Sequence, residues 1–357
     1  MPLPPPQSRK TIHVNEGINS AEFGEDITVV TYNILCDFYL QPALAKGRHK
    51  NCSKEYVTPK QDRNCPRHKL MMNELQWLDG DIVCLQEVDT PYFTEILKED
   101  MSFLGYKGMF AQKSQTSFEL EESKTLVINE IAAGVFTEVE SNKFGEVLIL
   151  AALRHKNSNT MLLTATTHIL WKDLLEPVTQ VCEIALVTQA LRDMVTALRS
   201  QDKHVAYILC GDFNIDPHYP AYHLLKDGKL SEEQFCKLQT VDYLKFAADV
   251  EKPHQVLPEQ ISLLNKVKKH LRNPLTNMQS AYKVVMGSEP QCTSAEDDAS
   301  RVWTIDYIWF DSENLKVTAA LETLPESAIA AYRGFPNEYF SSDHFSLKAH
   351  FKFIVKP

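Results

Sequence analysis

The chain lacks several patterns that mark common enzyme classes. It contains no phosphate-binding P-loop, no glycine-rich dinucleotide fingerprint and no Gly-x-Ser-x-Gly elbow. These absences argue against nucleotide motors, dehydrogenases and serine hydrolases. No apolar run approaches the length of a membrane helix, and Met1 to Pro6 has none of the apolar character of a signal peptide. We therefore expect a protein of the cytoplasm or nucleus that is not secreted and does not bind a membrane.

Internal repeats, clear zinc motifs and a positive net charge are also missing. Nothing recurs at solenoid spacing, and there is no leucine-rich repeat. The eight cysteines are scattered, some within apolar runs, which is typical of reduced thiols, and Cys52 and Cys65 are too isolated to indicate zinc. The net charge of −10 is unusual for a protein that attracts nucleic acid at long range. An anionic substrate would therefore require a bound cation and a local basic patch.

The remaining sequence is that of a globular α/β protein. Residues 1–26 read as an N-terminal tail that begins as an extended Pro-rich segment, and residues 27–357 as a catalytic domain. Apolar runs alternate with helical patterns in the first half, while later strands pair locally, which favours a layered α/β sandwich. Strands are predicted at 27–34, 82–85, 106–111, 147–153, 161–167, 205–209, 304–310, 315–324 and 345–353, and helices at 67–78, 92–104, 176–198 and over most of 226–270.

The chain is organised around Cys210-Gly211-Asp212-Phe213-Asn214, which ends the buried strand at 205–209. Asp212 and Asn214 lie two residues apart just past the strand, so their side chains point to the same side. Open α/β sheets usually place their sites at this end of a strand. Such a pair can bind a hard metal and orient a water or a phosphate oxygen. The same two residue types also occur in ordinary turns, so both interpretations stay open.

Similar polar groups recur at other strand ends, at Asn33, Glu87, His168 and the pair Asp343-His344. Asn33 could instead cap a turn, Glu87 could start a helix, His168 could be a satisfied core histidine, and Asp343-His344 could lie in a surface turn. Asp306 lies inside an apolar strand, where an unpaired carboxylate is costly to bury. It therefore needs a partner, and a histidine is the natural one. Carboxylates and carboxamides supply oxygen ligands for Mg²⁺, and histidines can stabilise charge on a phosphoryl group.

Six short motifs, in this order, resemble those of the exonuclease–endonuclease–phosphatase superfamily, and within it the nocturnin, Angel and carbon-catabolite-repressor deadenylase group. The motifs span almost the whole chain and are Thr31-Tyr32-Asn33-Ile34-Leu35, Leu85-Gln86-Glu87-Val88, Thr167-His168, Gly211-Asp212-Phe213-Asn214, Ile305-Asp306-Tyr307-Ile308 and Ser342-Asp343-His344. The resemblance implies a deoxyribonuclease-I-like, four-layer α/β sandwich in which two packed mixed β-sheets are flanked by helices.

The resemblance also implies Mg²⁺-dependent phosphoester cleavage, with Mn²⁺ able to substitute. Glu87 would be the principal metal ligand with Asn33 beside it, and Asp343 would reach a metal through water. The resemblance also implies catalytic roles by position. Asp212 would activate or orient the water, and Asn214 would hold the phosphate. His344, paired with Asp306, would contact the scissile phosphate, and His168 would stabilise the charge of the transition state.

The resemblance suggests RNA as the substrate, attacked from a poly(A) 3′ end. The alternatives are the 2′-phosphate of an adenine dinucleotide (NADPH), a 2′,3′-cyclic phosphate at an RNA end, or a non-catalytic relative that only binds RNA or protein. Aromatic side chains that could stack on adenine are Trp171, Tyr219, Trp309 and Phe335, although each could equally belong to the core or to ordinary surface. The basic segment 46–69 could hold RNA phosphates or could be a solvated loop.

One segment departs from the resemblance. Relatives carry Asp-Gly-Cys-Ala and an apolar strand after the third predicted strand, whereas residues 112–116 here run directly into 117–121. Residues 114–124 are too polar to form a buried strand. We therefore expect a core strand to be missing, with residues 125–136 recruited in its place or with the fold weakened.

Overall fold

A computed structural model describes residues 5–14, 23–47, 49, 52–60, 62–107, 111–113, 118–156, 160–171, 177–201, 203–240, 260–269, 271–295, 301–332 and 334–354. Within these ranges the chain forms two large β-sheets packed face to face and covered by helices on their outer sides. The predicted four-layer α/β sandwich is therefore confirmed.

The first sheet has seven strands in the order β1-β14-β15-β2-β3-β5-β4. Its central pair, β2 and β3, is parallel, and the strands on either side run antiparallel to their neighbours. The strands are β1 (Thr11–His13), β2 (Phe23–Asn33), β3 (Ile82–Gln86), β4 (Tyr106–Lys107), β5 (Ala111–Lys113), β14 (Leu315–Leu321) and β15 (Leu347–Ile354).

The second sheet has six strands in the order β10-β13-β9-β8-β7-β6. Here β8 and β9 form the parallel pair, and a short hairpin of β11 and β12 lies outside both large sheets. The strands are β6 (Phe118–Val127), β7 (Val147–His155), β8 (Met161–His168), β9 (Val205–Asp212), β10 (Met278–Ser280), β11 (Ser294–Ala295), β12 (Val302–Trp303) and β13 (Asp306–Asp311).

Helices close the outer faces of the sheets. α2, α3 and α4 cover the seven-stranded sheet, and α5, α7, α8, α9 and α10 cover the other. A π-helical segment, Phe93–Leu97, joins α3 to α4. The helices are α1 (Asp37–Ala45), α2 (Pro66–Leu78), α3 (Thr90–Tyr92), α4 (Lys98–Phe103), α5 (Ile128–Ala132), α6 (Glu138–Ser141), α7 (Pro177–Arg199), α8 (Pro220–Asp227), α9 (Glu232–Thr240), α10 (Ile261–Lys269), α11 (Ala281–Met286) and α12 (Glu326–Ile329).

The central core lies between the sheets, where alternate residues of each strand point inward. Ile27 and Val29 of β2 pack there with Ile208 of β9 and Phe351 of β15, all fully buried. Burying a side chain of this size stabilises the fold by about 1.5–3 kcal/mol, so this apolar layer holds the two sheets together. None of the described helices combines the length and the apolar character needed to span a membrane. The predicted helical stretch at 241–259 lies outside the described residues.

The N-terminal segment is more than the predicted tail of residues 1–26. β1 pairs with β14 at the edge of the seven-stranded sheet. Arg9 is buried and forms an ion pair of 2.9 Å with Glu74 of α2. Moreover, β2 begins at Phe23, before the predicted domain boundary. The description as a tail is therefore wrong for residues 5–13 and 23–26, because a short strand and one buried arginine dock this segment onto the domain.

The described part of the polar segment that suggested a missing strand, residues 118–124, lies in β6. It pairs antiparallel with β7 from Phe118, opposite His155, to Val127, opposite Val147. β7 is thus hydrogen-bonded on both sides, and the expected gap does not exist among the described residues. The segment is polar as predicted, and most side chains of β6 are exposed. The inference that it could not form a strand of the sheet was wrong, because an edge strand tolerates polar residues on both faces. Recruitment of residues 125–136 holds only for 125–127, which end β6, and is wrong for the rest, because α5 begins at Ile128.

Candidate active site

Strand register brings the predicted polar groups to one end of the two sheets. In the seven-stranded sheet, Asn33 at the end of β2 lies opposite Gln86, directly before Glu87. In the six-stranded sheet, Asp212 lies between His168 on one side and Asp306 on the other. Because β2, β3, β8 and β9 all end here, four separate segments deliver side chains to one place.

Gly211 permits the close approach of β8 and β9 at this point. Its φ is +141°, and a Cβ atom added there would lie 2.0 Å from the carbonyl oxygen of Thr167. A side chain at this position would force the strands apart, immediately before the His168–Asp212 pair. The close packing of β8 and β9 therefore requires glycine at the first position of the Gly-Asp-Phe-Asn motif.

Glu87 is held from both sides of its carboxylate. Asn33 Nδ2 donates to Glu87 Oε1 at 2.9 Å, and the backbone N–H of Cys36 donates to Oε2 at 3.0 Å. Asn33 Nδ2 also donates to Asp212 Oδ2 at 3.0 Å, so the carboxylates of Glu87 and Asp212 face a shared point. Burial alone would raise the pKa of Glu87, but His168 and these hydrogen bonds hold it below its usual range. The carboxylate is therefore ionised and oriented.

The predicted ligand role of Asn33 does not fit this arrangement. Its Oδ1 accepts a hydrogen bond of 3.0 Å from the backbone N–H of Leu35, and its nitrogen faces Glu87 and Asp212. A donor nitrogen cannot bind a cation. Asn33 instead orients the two carboxylates, because the local hydrogen bond fixes which way its amide points.

His344 and Asp306 form the predicted pair. His344 Nδ1 lies 2.9 Å from Asp306 Oδ2, and its Nε2 lies 3.7 Å from Asp212 Oδ2. Burial alone would lower the pKa of His344, but the carboxylates of Asp306 and Asp212 raise it well above its usual range. Burial raises the pKa of Asp212, opposed by the attraction of His344. Both carboxylates thus favour the protonated form of His344, and its Nε2 lies on the side of the ring that faces Asp212.

Three residues at this site have a left-handed backbone that side chains rarely adopt. The φ angles are +52° at Leu35, +55° at Glu87 and +50° at Asn214. Each costs of order 1–3 kcal/mol and persists only where surrounding contacts enforce it. At Asn214 those contacts are its N–H to Asp212 Oδ1 at 2.9 Å and its Nδ2 to the carbonyl of Ile169 at 2.8 Å. Asn214 thereby fixes the Asp212 rotamer and has a second amide hydrogen left for a ligand.

The turn at 341–344 ties the two sheets together at the site. Ser342 Oγ donates to the carbonyl of Asn33 at 2.8 Å and accepts from the N–H of His344 at 3.2 Å. Thr293 Oγ1 accepts from the N–H groups of Ile305 and Asp306. Asp343 is half-buried beside His344, and its carboxylate raises the pKa of that imidazole. The alternative of a surface turn for Ser342-Asp343-His344 is therefore wrong.

The donor set fits a divalent cation. Glu87, His168 and Asp212 bring one ligand atom each within 4.8 Å of one another, and so do Asp212, Asp306 and His344. His168 Nε2 lies 3.5 Å from Asp212 Oδ2 and 3.9 Å from Glu87 Oε1. Carboxylate oxygens are hard ligands, and those of Glu87 and Asp212 converge because both accept from Asn33 Nδ2. A cation would offset the negative charge that would otherwise repel a phosphate.

The predicted aromatic rim is mostly core. Trp309 packs against Tyr222 and Tyr307 with 1% of its surface exposed, and Phe335 is fully buried among Tyr332, Phe340 and Phe345. Tyr219 is buried as well. A stacking role is therefore wrong for these three residues, whose rings are enclosed on all sides. Only Trp171 is accessible, with 52% of its surface exposed, three residues after His168.

Sequence reasoning missed two groups beside the site. Phe38 and Tyr39, with 71% and 44% of their surface exposed, lie in the first turn of α1, two and three residues after Cys36, and their rings contact edge to face. Lys60 and Arg67 are fully buried behind the loop that carries Cys36, so neither a phosphate contact nor a solvated loop describes them. The Phe38-Tyr39 pair was visible in the motif Asn-Ile-Leu-Cys-Asp-Phe-Tyr, whereas no local signal marks a buried lysine.

Comparison with known proteins agrees with this geometry. The model of the Endonuclease/Exonuclease/phosphatase family matches residues 30–344, which includes every strand end described above. The chain belongs to this family.

Among curated relatives, the CCR4-Not complex 3′-5′-exoribonuclease subunit Ccr4 of Coccidioides immitis is 26% identical over 97% of this chain and 50% of its own length. The protein of the same name from Schizosaccharomyces pombe is 23% identical over 91% of this chain and 49% of its own length. The chain thus spans about half the length of the curated relatives it matches.

Two solved structures show the same fold. The structure of ANGEL2, a 2′,3′-cyclic phosphatase, in complex with adenosine-2′,3′-vanadate has a TM-score of 0.73 at 20% identity, covering 97% of this chain and 99% of that one. The human Nocturnin catalytic domain with bound sulfate has a TM-score of 0.58 at 22% identity, covering 98% and 99%. At these identities the likeness establishes the fold alone.

Proposed function

We propose that this protein is a Mg²⁺-dependent phosphodiesterase that acts on RNA as a 3′-5′ exoribonuclease with a preference for poly(A). The observation that carries the proposal is the meeting of Glu87 and Asp212 with the Asp306–His344 pair at one end of two sheets, in a member of this family. The Ccr4 relatives are named as 3′-5′ exoribonucleases and match this chain over nearly its full length, which supports RNA as the substrate.

In this proposal Glu87 and Asp212 hold the metal, with His168 beside them. A Mg²⁺ ion held there would neutralise charge on the scissile phosphate and polarise its P–O bond. Asp212 also orients the attacking water. Asp343, half-buried beside His344, would reach such an ion through water. Mn²⁺ is expected to substitute, since the oxygen ligands do not distinguish strongly between the two ions.

The remaining residues handle the charge of the phosphate. His344 donates from Nε2 to a non-bridging phosphate oxygen, while Asp306 accepts from Nδ1 and fixes the orientation of the ring. His168 stabilises negative charge that develops in the transition state. The second amide hydrogen of Asn214 donates to the phosphate. Phosphoryl transfer depends mainly on such positioning and neutralisation, which matches a site without a covalent nucleophile.

Exposed aromatic side chains beside the site supply a place for the bases. Trp171 and the Phe38–Tyr39 pair follow directly on segments that hold His168 and Glu87. Stacking of a base on an aromatic ring is worth about 1–3 kcal/mol and tolerates any base, so it supports RNA binding more than adenine selection. All eight cysteines are free thiols, in keeping with a reducing compartment such as the cytoplasm or nucleus.

The test offers purified protein and Mg²⁺ a panel of substrates: 5′-labelled oligo(A), mixed-sequence RNA of equal length, RNA ending in a 2′,3′-cyclic phosphate, and NADPH. We expect stepwise 3′ shortening of oligo(A) at the highest kcat/KM. Turnover of mixed-sequence RNA at an equal rate would remove the poly(A) preference. Binding of RNA without turnover of any substrate would favour the non-catalytic alternative and contradict the proposal.

A 2′,3′-cyclic phosphate at an RNA end is the second candidate substrate. The likeness to ANGEL2 motivates it, since that protein was solved with adenosine-2′,3′-vanadate. A nucleotide 2′-phosphate, as in NADPH, remains the third. Ring opening or phosphate release in the panel, with intact oligo(A), would assign the site to one of these phosphatase activities.

A further inference from the structure

Two buried basic side chains lie directly behind the loop that holds Glu87. Lys60 Nζ donates to the carbonyl of Ile34 at 2.7 Å and to that of Leu35 at 2.8 Å. Arg67 Nη2 donates to the same Leu35 carbonyl at 2.7 Å. Both side chains are fully buried, and the Lys60 ammonium otherwise faces the ring of Tyr92 at 5.3 Å. Burying a lysine on two carbonyl groups is costly, so the arrangement requires an explanation.

The two carbonyl groups belong to peptide units whose opposite ends face the active site. The unit with the Ile34 carbonyl carries the N–H of Leu35, which donates to Asn33 Oδ1 at 3.0 Å. The unit with the Leu35 carbonyl carries the N–H of Cys36, which donates to Glu87 Oε2 at 3.0 Å. A peptide unit is planar, so fixing its oxygen also fixes its N–H. The basic side chains thus act on Asn33 and Glu87 through two peptide planes.

The backbone at this point would not hold its conformation unaided. Leu35 lies between the two peptide units and has a φ of +52°, which a leucine rarely adopts. Lys60 and Arg67 bond to the outer side of this turn and oppose its relaxation. The amide of Asn33 is fixed as a result, so its nitrogen, not its oxygen, reaches Glu87 and Asp212.

Arg67 also connects this loop to the catalytic histidine. Its Nη1 donates to Asp37 Oδ1 at 2.9 Å, and its Nε donates to the carbonyl of Ser341 at 3.1 Å. Ser341 opens the turn in which Ser342 bonds to both Asn33 and His344. One guanidinium therefore spans the Glu87 side and the His344 side of the site, which the single ammonium of a lysine could not do.

We propose that Lys60 and Arg67 are positioning residues that set the orientation of Asn33 and Glu87 and thereby the metal affinity of the site. The proposal rests on the metal site of the proposed function. Outer groups that orient metal ligands typically contribute about 10- to 100-fold in metal affinity. Lys60 and Arg67 act through Asn33 and Glu87 and do not touch the RNA-binding surface. Losing either residue should therefore weaken metal binding and turnover and leave the KM for RNA unchanged.

The test replaces Lys60 with methionine, which keeps the apolar stem and removes the donors. The matched control is Lys348→Met, because Lys348 Nζ donates to the carbonyl of Leu78 at 2.6 Å, at the opposite end of β3. We expect K60M to raise the Kd for Mg²⁺, measured by calorimetry without RNA, about 10- to 100-fold. Hydrogen exchange at the amides of Leu35 and Cys36 should accelerate as well. K348M should change neither, and the KM for RNA should stay within about threefold in both.

Each outcome decides the proposal. Folded K60M with wild-type Mg²⁺ affinity and wild-type exchange at Leu35 and Cys36 would overturn it, and so would equal losses in K60M and K348M. If K60M does not fold, Arg67→Lys decides on the same readouts, because it keeps the charge and removes the link to Ser341. If the wild-type protein binds no Mg²⁺, the proposed function fails, while the exchange measurement still tests the positioning of the loop.

Discussion

Replacing Asp306 with asparagine keeps the shape of the site and removes one charge. Asp306 Oδ2 lies 2.9 Å from His344 Nδ1, and both side chains are buried. At an effective dielectric constant of about 20, a charge pair at this distance interacts by roughly 6 kcal/mol, an upper limit because the asparagine oxygen still accepts a hydrogen bond. Losing about half of this attraction would lower kcat about 100-fold, the scale of one lost charge-stabilising donor.

The assay is oligo(A) turnover at saturating Mg²⁺ and RNA, with Asp311→Asn as the matched control. Asp311 lies at the other end of β13, is equally buried and bonds to Asn314. The control should lose stability and keep its kcat. His344→Ala should also lower kcat about 100-fold. Because the two residues act as one unit, the double variant should be little worse than either single variant. A D306N enzyme within threefold of wild type, or additive losses in the double variant, would refute the reasoning.

Three further predictions concern stability and substrate binding. Burial lowers the pKa of Lys60 to about 7, so above that pH the unfolded chain binds more protons than the folded chain. The unfolding free energy of wild type relative to Lys60→Met, measured by urea titration, should therefore rise by about 2 kcal/mol from pH 7 to pH 9. A difference that does not change with pH would contradict this prediction. Gly211→Ala should destabilise by at least 2 kcal/mol in the same assay because its Cβ meets the Thr167 carbonyl, and wild-type stability would exclude that contact. Trp171→Ala should raise the KM for RNA at least fivefold without altering stability, whereas Phe103→Ala, which removes an even more exposed aromatic ring, should not; equal effects would remove the stacking role.

The strand ends of the site could be predicted because their signal is local. Buried strands appear in the sequence as short apolar runs. Glu87, His168 and Asp212 follow or end such runs, and the Asp343-His344 pair directly precedes one. The cost of burying an unpaired carboxylate predicted a histidine partner for Asp306, and the family resemblance identified that partner as His344. These inferences need only the chain order and the polarity of neighbouring residues.

The failures have the opposite origin, since they depend on tertiary contacts. Trp309 and Phe335 have the same residue character as an exposed stacking residue, and only the fold encloses them. Lys60 is a basic residue in a basic segment, and nothing nearby in sequence indicates burial on the carbonyl groups of Ile34 and Leu35. The orientation of the Asn33 amide depends on one backbone N–H in a strained turn, which no residue pattern specifies.

The polar strand β6 failed for a related reason. Its composition excludes a buried strand, but sequence polarity alone does not show whether a strand lies in the centre or at the edge of a sheet. Pairing along the length of β7 supplies the backbone hydrogen bonds that an interior strand would otherwise provide.

The most direct test of the central claim follows 5′-labelled oligo(A) over time with wild-type protein and with Glu87→Gln. Glutamine keeps the size of Glu87 and removes the charge that faces Asp212 and His168. The account predicts a ladder of products shortened from the 3′ end by the wild-type protein in Mg²⁺, and at least a 100-fold slower reaction for folded E87Q at saturating Mg²⁺. An E87Q protein that shortens oligo(A) at the wild-type rate would contradict the assignment of this site.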